Sequence, residues 1–373
     1  MKTIVASKVT VLPYEAGAFD SIAASLSGKV YENTIGNNRF VTFKDGDTLT
    51  HLCEYPGRDQ IRKVECPLPA YDVLPTDIPC GEKKNQTALY QIDLDNRRVN
   101  CGMTYIFHLA DGRFFILDGG YFTFSECDRL YAMLRKLQPE GKLNIVGWFF
   151  SHAHQDHFGA FLEFVSKYKD EYTIDTLYYT FPSLDLPESV RWKQSDNATM
   201  REFDYTVTKF LPDVKLCFMH TGQSFMMGEL KIDVLFTHED IYPDTIRSFN
   251  DTSTVLYITY EGQTILFLGD LHVESCRKIE PLYGNLLKAD IVQVAHHGFN
   301  GSTVETYELA SPDVVLWPTA DYEFERNTTR DVNAHLLAMT CVKEHIIAGV
   351  HGTRKFTLPY TVGTSEQIDL PKI

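Results

Sequence analysis

This chain of 373 residues is defined first by what it lacks. No apolar run approaches the roughly 18 residues needed to span a bilayer. No basic-then-apolar N-terminus with a small-residue cleavage site opens it. A membrane partner is therefore not expected, and a cytoplasmic location is the default. The eight cysteines (Cys53, Cys66, Cys80, Cys101, Cys127, Cys217, Cys276 and Cys341) never form a Cys-x-x-Cys pair. In a chain this long without a secretion signal they read as reduced, mostly buried thiols. Positive charge is short as well: 35 Lys and Arg stand against 50 Asp and Glu, a formal net charge of -15. That argues against a grip on long nucleic acid, which needs Lys and Arg patches on phosphates. It leaves room for a small phosphorylated substrate, because bound metal supplies local positive charge. No internal repeat and no low-complexity segment is evident. What is present, 44% hydrophobic and 23% charged residues, is the make-up of a globular protein. The length suits one large domain, or a domain with an appendage; an oligomer is compatible with it.

The most informative stretch is Phe149-Phe150-Ser151-His152-Ala153-His154-Gln155-Asp156-His157-Phe158-Gly159. Three imidazoles and a carboxylate fall within six residues. The preceding run, Ile145 to Phe150, reads as a buried strand, and Gly159 to Val165 has apolar residues at helical spacing. The motif is therefore expected on a strand-to-helix loop. Imidazole and carboxylate are ligands of borderline metals such as zinc. On an extended segment side chains alternate, so His152 and His154 point the same way and can share one ion. Asp156 and His157 follow after the chain has turned and can reach a second.

His152-x-His154-x-Asp156-His157 after a hydrophobic strand resembles the signature of the metallo-β-lactamase fold hydrolases. The resemblance covers roughly residues 88 to 360 and implies an α/β protein, a four-layer αββα sandwich. The order of elements, βαβ and then βαβ again, argues for α/β layers independently. Within the family a strand ending in Asp-Gly-Gly opens the fold, its aspartate organising the metals; Arg113 to Leu117 followed by Asp118-Gly119-Gly120 matches this. Residues 1–85 read as a small β-rich appendage and linker, and 86–373 as the hydrolase domain. In the appendage Lys29–Tyr31, Arg39–Phe43 and Thr48–Tyr55 look like strands, with a hairpin at Lys44-Asp45-Gly46-Asp47 and a short helix from Ser21 to Leu26. A proline-rich connection follows, with Pro67, Pro69, Pro75 and Pro79.

Two later strands also end in ligand-type residues. Thr264 to Leu268 runs into Gly269-Asp270, and a carboxylate at such a strand mouth can bridge two ions, the role the family gives it. Ala289 to Ala295 runs into His296-His297-Gly298. Adjacent side chains diverge, so one of the two histidines is expected to ligate: His297 is favoured, with His296 beside it or facing substrate. The run Asn250-Asp251-Thr252-Ser253, the Gly-Asp strand and Val-Ala-His296-His297-Gly298 together look like the hydrolase domain of bacterial competence (DNA-uptake) proteins. His335, in Asn333-Ala334-His335, matches the late Asn…His of that branch. One departure stands out: the Pro-Gly-His-Thr setting of the lactamase and glyoxalase branches is absent. His238, or else His220, is the candidate for its histidine.

These readings converge on a dinuclear metal-dependent hydrolase with a metal-bridging hydroxide as nucleophile. His152, His154 and Asp270 would hold one ion, and Asp156, His157, His297 and Asp270 the other. The two divalent ions are expected to be zinc, with manganese or iron also suited to these ligands. Asp156 would orient the water or accept its proton, Asp118 would stand behind the ligands, and His335 or His296 would protonate the leaving group. A small phosphodiester or nucleotide-like molecule is the expected substrate. An ester, thioester or lactam, a redox role of the flavodiiron kind, and a non-catalytic metal-binding relative are the alternatives.

Overall fold

The computed structural model describes residues 3–67, 74–95, 99–183, 193–299 and 301–370. Most of the proline-rich connection (68–73) and of the loop expected between Phe181 and Asn197 (184–192) lie outside them.

Two large mixed sheets lie face to face. In the first, the order across the sheet is Lys215–Phe218, Thr176–Tyr179, Leu143–Phe150, Phe114–Leu117, Tyr105–His108, Ala88–Gln91, Arg354–Thr357 and Glu366–Gln367. In the second it is Glu344–Ile347, Val314–Trp317, Ile291–Gln293, Gln263–Phe267, Val255–Tyr260, Leu230–Phe236, Ser224–Gly228 and Ile78–Pro79. Each sheet begins in the chain as an antiparallel meander and continues as parallel strands joined by helices. The chain thus winds the same way twice, a repeat of architecture that leaves no mark at the sequence level. By sequence, Lys355 to Leu358 reads as a strand closing the sheet with Glu344 to Ile347; the observed strand, Arg354–Thr357, pairs instead with Ala88–Gln91 in the first sheet.

The reason the sheets pack is in the strands. In Leu143–Phe150, Val146 and Phe149 enter the core between the sheets, while Ile145, Trp148 and Phe150 join the outer core. Between the sheets the rings of Tyr105 and Phe267 meet edge to face with centroids 5.1 Å apart, and Tyr178 stacks on Phe225 at 5.2 Å. On the outer face Trp148, Phe150, Phe158, Phe161 and Phe203 weld the helices Gln155–Lys167 and Lys193–Phe210 to the first sheet. Helices Val273–Tyr283 and Val304–Ala310 bury Cys276, Ile279, Leu282, Tyr283, Tyr307 and Ala310 in the outer layer of the second sheet, with Leu266, Val292 and Val315. The architecture is a four-layer αββα sandwich.

The N-terminal region forms its own antiparallel sheet, ordered Lys8–Pro13, Gln60–Pro67, Thr48–Tyr55, Asn38–Asp45 and Lys29–Ile35. Sequence patterning anticipates the last three of these and not the first two. One face carries a small core of Phe19, Val41, Phe43, Leu52 and Ile61 under the helix Ala18–Ala24. The other face, with Phe40, Leu49, Cys53, Tyr55, Val64 and Cys66, merges with the core of the sandwich. The seam is also polar: Arg62 pairs with Asp240, Tyr55 Oη donates to Asp240 at 2.8 Å, and Asn38 Nδ2 donates to the Leu282 carbonyl at 2.8 Å. Gly222 marks the tightest approach across the seam, because a Cβ there would overlap the Phe40 ring and its φ is +88°. Gly222→Ala is expected to cost about 3 kcal/mol, from overpacking and a left-handed alanine together. A urea melt would show this as a lower midpoint; an unchanged midpoint would mean the seam contributes little.

Candidate metal centre

Every residue of the centre leaves the carboxyl end of a strand, where α/β sheets place their ligands. Asp118 follows Phe114–Leu117, Ser151 and His152 follow Leu143–Phe150, Asp270 follows Gln263–Phe267, and His297 follows Ile291–Gln293. The two sheets deliver their ends to one point. Asp156 and His157 lie not on a loop but in the first turn of the helix Gln155–Lys167, which begins as soon as the motif's strand has turned.

One group consists of Asp156, His157, Asp270 and His297, with one ligand atom from each lying within 4.8 Å of the others. His157 Nδ1 is 2.6 Å from Asp118 Oδ2, and His297 Nδ1 is 2.7 Å from the Pro318 carbonyl oxygen. Carboxylate and carbonyl only accept, so both Nδ1 atoms carry a proton and both rings turn Nε2, the nitrogen an ion would take, into the group. Those two Nε2 atoms face each other at 3.2 Å. Asp270 Oδ1 is 3.1 Å from the first and 3.3 Å from the second, and Asp156 Oδ2 is 3.2 Å from His297 Nε2. Two ring nitrogens and two carboxylate oxygens converge, and Asp270 Oδ1 is a buried atom without a hydrogen bond. Ligands about 2.0 Å from a tetrahedral zinc are separated by about 3.3 Å, the spacing of these pairs except Asp156 Oδ2 and His157 Nε2, which stand 3.9 Å apart. The residues fit a divalent ion.

The other group is His152, His154 and Asp270. His152 Nε2 lies 2.9 Å from His154 Nδ1 and 3.8 Å from Asp270 Oδ2. Asp270 therefore belongs to both groups, one oxygen to each. Ser151 ties them together: its Oγ is 2.8 Å from Asp118 Oδ2, 3.1 Å from His152 Nδ1 and 3.2 Å from His157 Nδ1, and its N–H donates to Asp118 Oδ1 at 2.7 Å. Asp118 is thus a positioning residue that reaches the ligands through His157 and Ser151.

Charge follows this geometry. Burial pushes the Asp270 carboxyl up, but His157 and His297 outweigh it and hold the group well below the carboxylate range. Burial pushes His297 down, but Asp270 and Asp156 carry it up to about 9. Burial, reinforced by His157 and His154, keeps His152 well below its ordinary value.

The structure does not bring the remaining candidates into either group. His238 is buried with Nδ1 3.3 Å from the Thr180 carbonyl oxygen, and His220 turns Nδ1 to Glu239 at 2.9 Å. Neither supplies the missing histidine; both follow strands that end beside the N-terminal sheet instead. His335 lies half-exposed on the helix Asp331–Ala338, 3.2 Å from Glu308, and belongs to neither group. Its neighbour Asn333 has the structural role, donating to the Gly298 carbonyl at 2.6 Å. His296 and His297 diverge through consecutive left-handed conformations, with φ of 49° and 54°. This is strain that a non-glycine backbone accepts only when its surroundings impose it. The His296 ring turns away to Asn250 and His272, each 3.1 Å off.

Sequence reasoning missed three neighbours. Asn250 Nδ2 is 3.1 Å from both His272 Nε2 and His296 Nε2, and it sits in a 3-10 turn, Phe249–Thr252, where a strand start was expected. A capping box between Ser248 and Asp251 forms that turn. His272 could have been flagged by its place two residues after Asp270. Cys101 donates from Sγ to Asp156 Oδ2 at 3.3 Å, and nothing in its flanking residues distinguishes it from the other buried thiols.

No family model matches this chain, and no curated protein matches it in sequence. Solved structures do. It is similar to the metallo-β-lactamase fold protein YhfI from Bacillus subtilis, with 13% identity over 72% of this chain and 99% of that one (TM-score 0.44). It is similar to CmlA, a diiron β-hydroxylase from Streptomyces venezuelae, with 13% identity over 74% and 55% (TM-score 0.43). It is similar to the short form of human tRNase Z, with 10% identity over 70% and 95% (TM-score 0.37). At such distances the chemistry has to be read from the residues themselves.

Asp118→Asn is expected to weaken metal retention about 10- to 100-fold, the usual cost of losing an orienting carboxylate. Competition with a chromogenic chelator would measure it; retention equal to the parent protein would remove Asp118 from this role.

Proposed function

We propose that the protein is a dinuclear metal-dependent hydrolase of small phosphodiester or nucleotide-like substrates. The observation that carries this reading is the convergence of ring nitrogens and carboxylate oxygens on two points that share Asp270. Asp156, His157, His297 and Asp270 would hold one ion; His152, His154 and Asp270 would hold the other. Such ions supply a hydroxide nucleophile at neutral pH and polarise the bond to be cut. The chain's own residues do the rest. Asp118 and Ser151 hold the imidazoles in the tautomer that presents Nε2. Asp156, less buried than its neighbours, is placed to orient the attacking water as well as to ligate.

Three features support phosphodiester chemistry. The His152 group offers three protein ligands, leaving it open to a substrate oxygen. At its rim Asn250, His272 and His296 form a hydrogen-bonded set, with His272 and His296 partly exposed, suited to meeting phosphoryl oxygens. The motifs resemble the competence-type branch. A net charge of -15 favours a small substrate over a long polyanion. No helix among the described residues is long and apolar enough to cross a membrane.

Elemental analysis of the purified protein, alongside turnover of bis-p-nitrophenyl phosphate, tests the proposal. At least two ions per chain with turnover is the expected result. The His152→Ala/His154→Ala protein should stay folded, lose metal and fall to the uncatalysed rate; retained turnover would overturn the mechanism. Metal without turnover would redirect the search to esters, thioesters and lactams.

A further inference from the structure

The polar seam under the N-terminal sheet holds a second convergence of ligand-type side chains. Cys66 comes from the strand Gln60–Pro67, His220 follows Lys215–Phe218, and Glu239 lies in the 3-10 turn His238–Asp240. One ligand atom from each lies within 4.8 Å of the others. All three are buried, with Cys66 1% exposed and His220 and Glu239 at 0%.

As a purely hydrogen-bonded cluster this is poorly satisfied. Both Glu239 oxygens turn to the single Nδ1 of His220, at 3.0 and 2.9 Å. His220 Nε2 is buried and meets no hydrogen-bond partner among the described residues. If the ring is neutral, a lone pair is stranded there; if it is charged, an N–H is stranded. Either state carries the cost of an unpaired buried polar atom. The nearest cation does not resolve this, because Arg62 is engaged by Asp240, by Tyr55 Oη at 2.7 Å and by Cys53 Sγ at 3.1 Å. Arg62 is shared with Asp240, so Glu239 is a buried carboxylate whose hydrogen-bonded support is the His220 imidazole, with Arg62 and His238 acting on it through charge alone.

We propose that Cys66, His220 and Glu239 bind a structural zinc-class ion that clamps the N-terminal sheet to the sandwich. Thiolate, imidazole and carboxylate are the three ligand types zinc takes. A doubly charged ion with the Cys66 thiolate and Glu239 carboxylate leaves the pocket neutral, and the proton released by the thiol passes to solvent. The clamp joins elements that nothing covalent connects locally: Cys66 is on one side of the seam, His220 and Glu239 on the other. His51, on the neighbouring strand of the N-terminal sheet, stacks on His220 with ring centroids 5.0 Å apart and has Nε2 2.8 Å from the Thr221 carbonyl oxygen, fixing the imidazole's plane. The site shares no ligand with the dinuclear centre and stands or falls separately from it.

Cobalt substitution tests this without relying on activity. The dinuclear centre has no thiolate ligand, so a near-ultraviolet thiolate-to-cobalt charge-transfer band reports the clamp. The band is expected in the parent protein and in an Asp270→Asn/Cys101→Ser protein, where the dinuclear centre is crippled and the other nearby thiol is gone. Cys66→Ser should abolish the band, lose one equivalent of metal and keep turnover of bis-p-nitrophenyl phosphate. Should Cys66→Ser fail to fold, the Asp270→Asn/Cys101→Ser spectrum decides: a band upholds the clamp. Absence of the band there, or a band and metal count unmoved by Cys66→Ser, would overturn it.

Discussion

Two imidazoles, each tied on its far side through Nδ1 to Asp118 or to the Pro318 carbonyl, face each other through Nε2 at 3.2 Å with carboxylate oxygens around them. The carboxylates draw protons onto these rings, and a bound ion would take the place of the protons on Nε2. Much of the surrounding architecture serves to hold this arrangement. Asp118 and the Pro318 carbonyl set the tautomers. Ser151 spans the two groups. The left-handed run at His296, His297 and Gly298 is fastened by His296 N–H to the Gly269 carbonyl at 3.0 Å and by Asn333 to Gly298. The strain stored there is repaid only if something occupies the point on which the rings converge.

The sandwich supplies the rigidity this requires. Each sheet contributes strand ends from its parallel part, so the ligands are anchored to buried backbone and not to long excursions. The aromatic layer of Trp148, Phe150, Phe161 and Phe203 fixes the helix Gln155–Lys167 against the first sheet, and with it Asp156 and His157. Asp270 arrives from the other sheet. The metal centre therefore also reports on the packing of one sheet against the other, because a slide between them would separate Asp270 from His152 and His157.

How much of this could be read from the sequence depended on whether the signal was local. His152 to His157, Gly269-Asp270 and His296-His297 each crowd ligand-type residues at the end of an apolar strand, and the structure brings these segments together. The architecture was legible for the same reason, since alternating strands and helices follow from periodicity. What was not legible is what depends on distant partners. Ser224–Gly228 (Ser-Phe-Met-Met-Gly) has no period-two pattern, and Ile78–Pro79 is a strand only because Ser224–Gly228 lies beside it. The sheet that Arg354–Thr357 joins is not written in its own four residues. His220 and His238 looked like stray ligands of the main centre because their real neighbours, Glu239 and the N-terminal sheet, are assembled by the fold. His335 resembled a family position through Asn333 alone.

The pairing of Arg354–Thr357 with Ala88–Gln91 bears on how the chain is made. The strand nearest the start of the sandwich waits for a partner that leaves the ribosome more than 250 residues later. Until then the first sheet has an open edge beside Ala88–Gln91, although its metal-binding half, from Asp118 to His157, has already emerged. Non-local closure of this kind is slow, and exposed edges invite wrong pairings in the interval. During synthesis the nascent chain thus holds half a set of ligands on an unfinished sheet, and the second half, from Asp270 to His297, arrives before the strand that seals it.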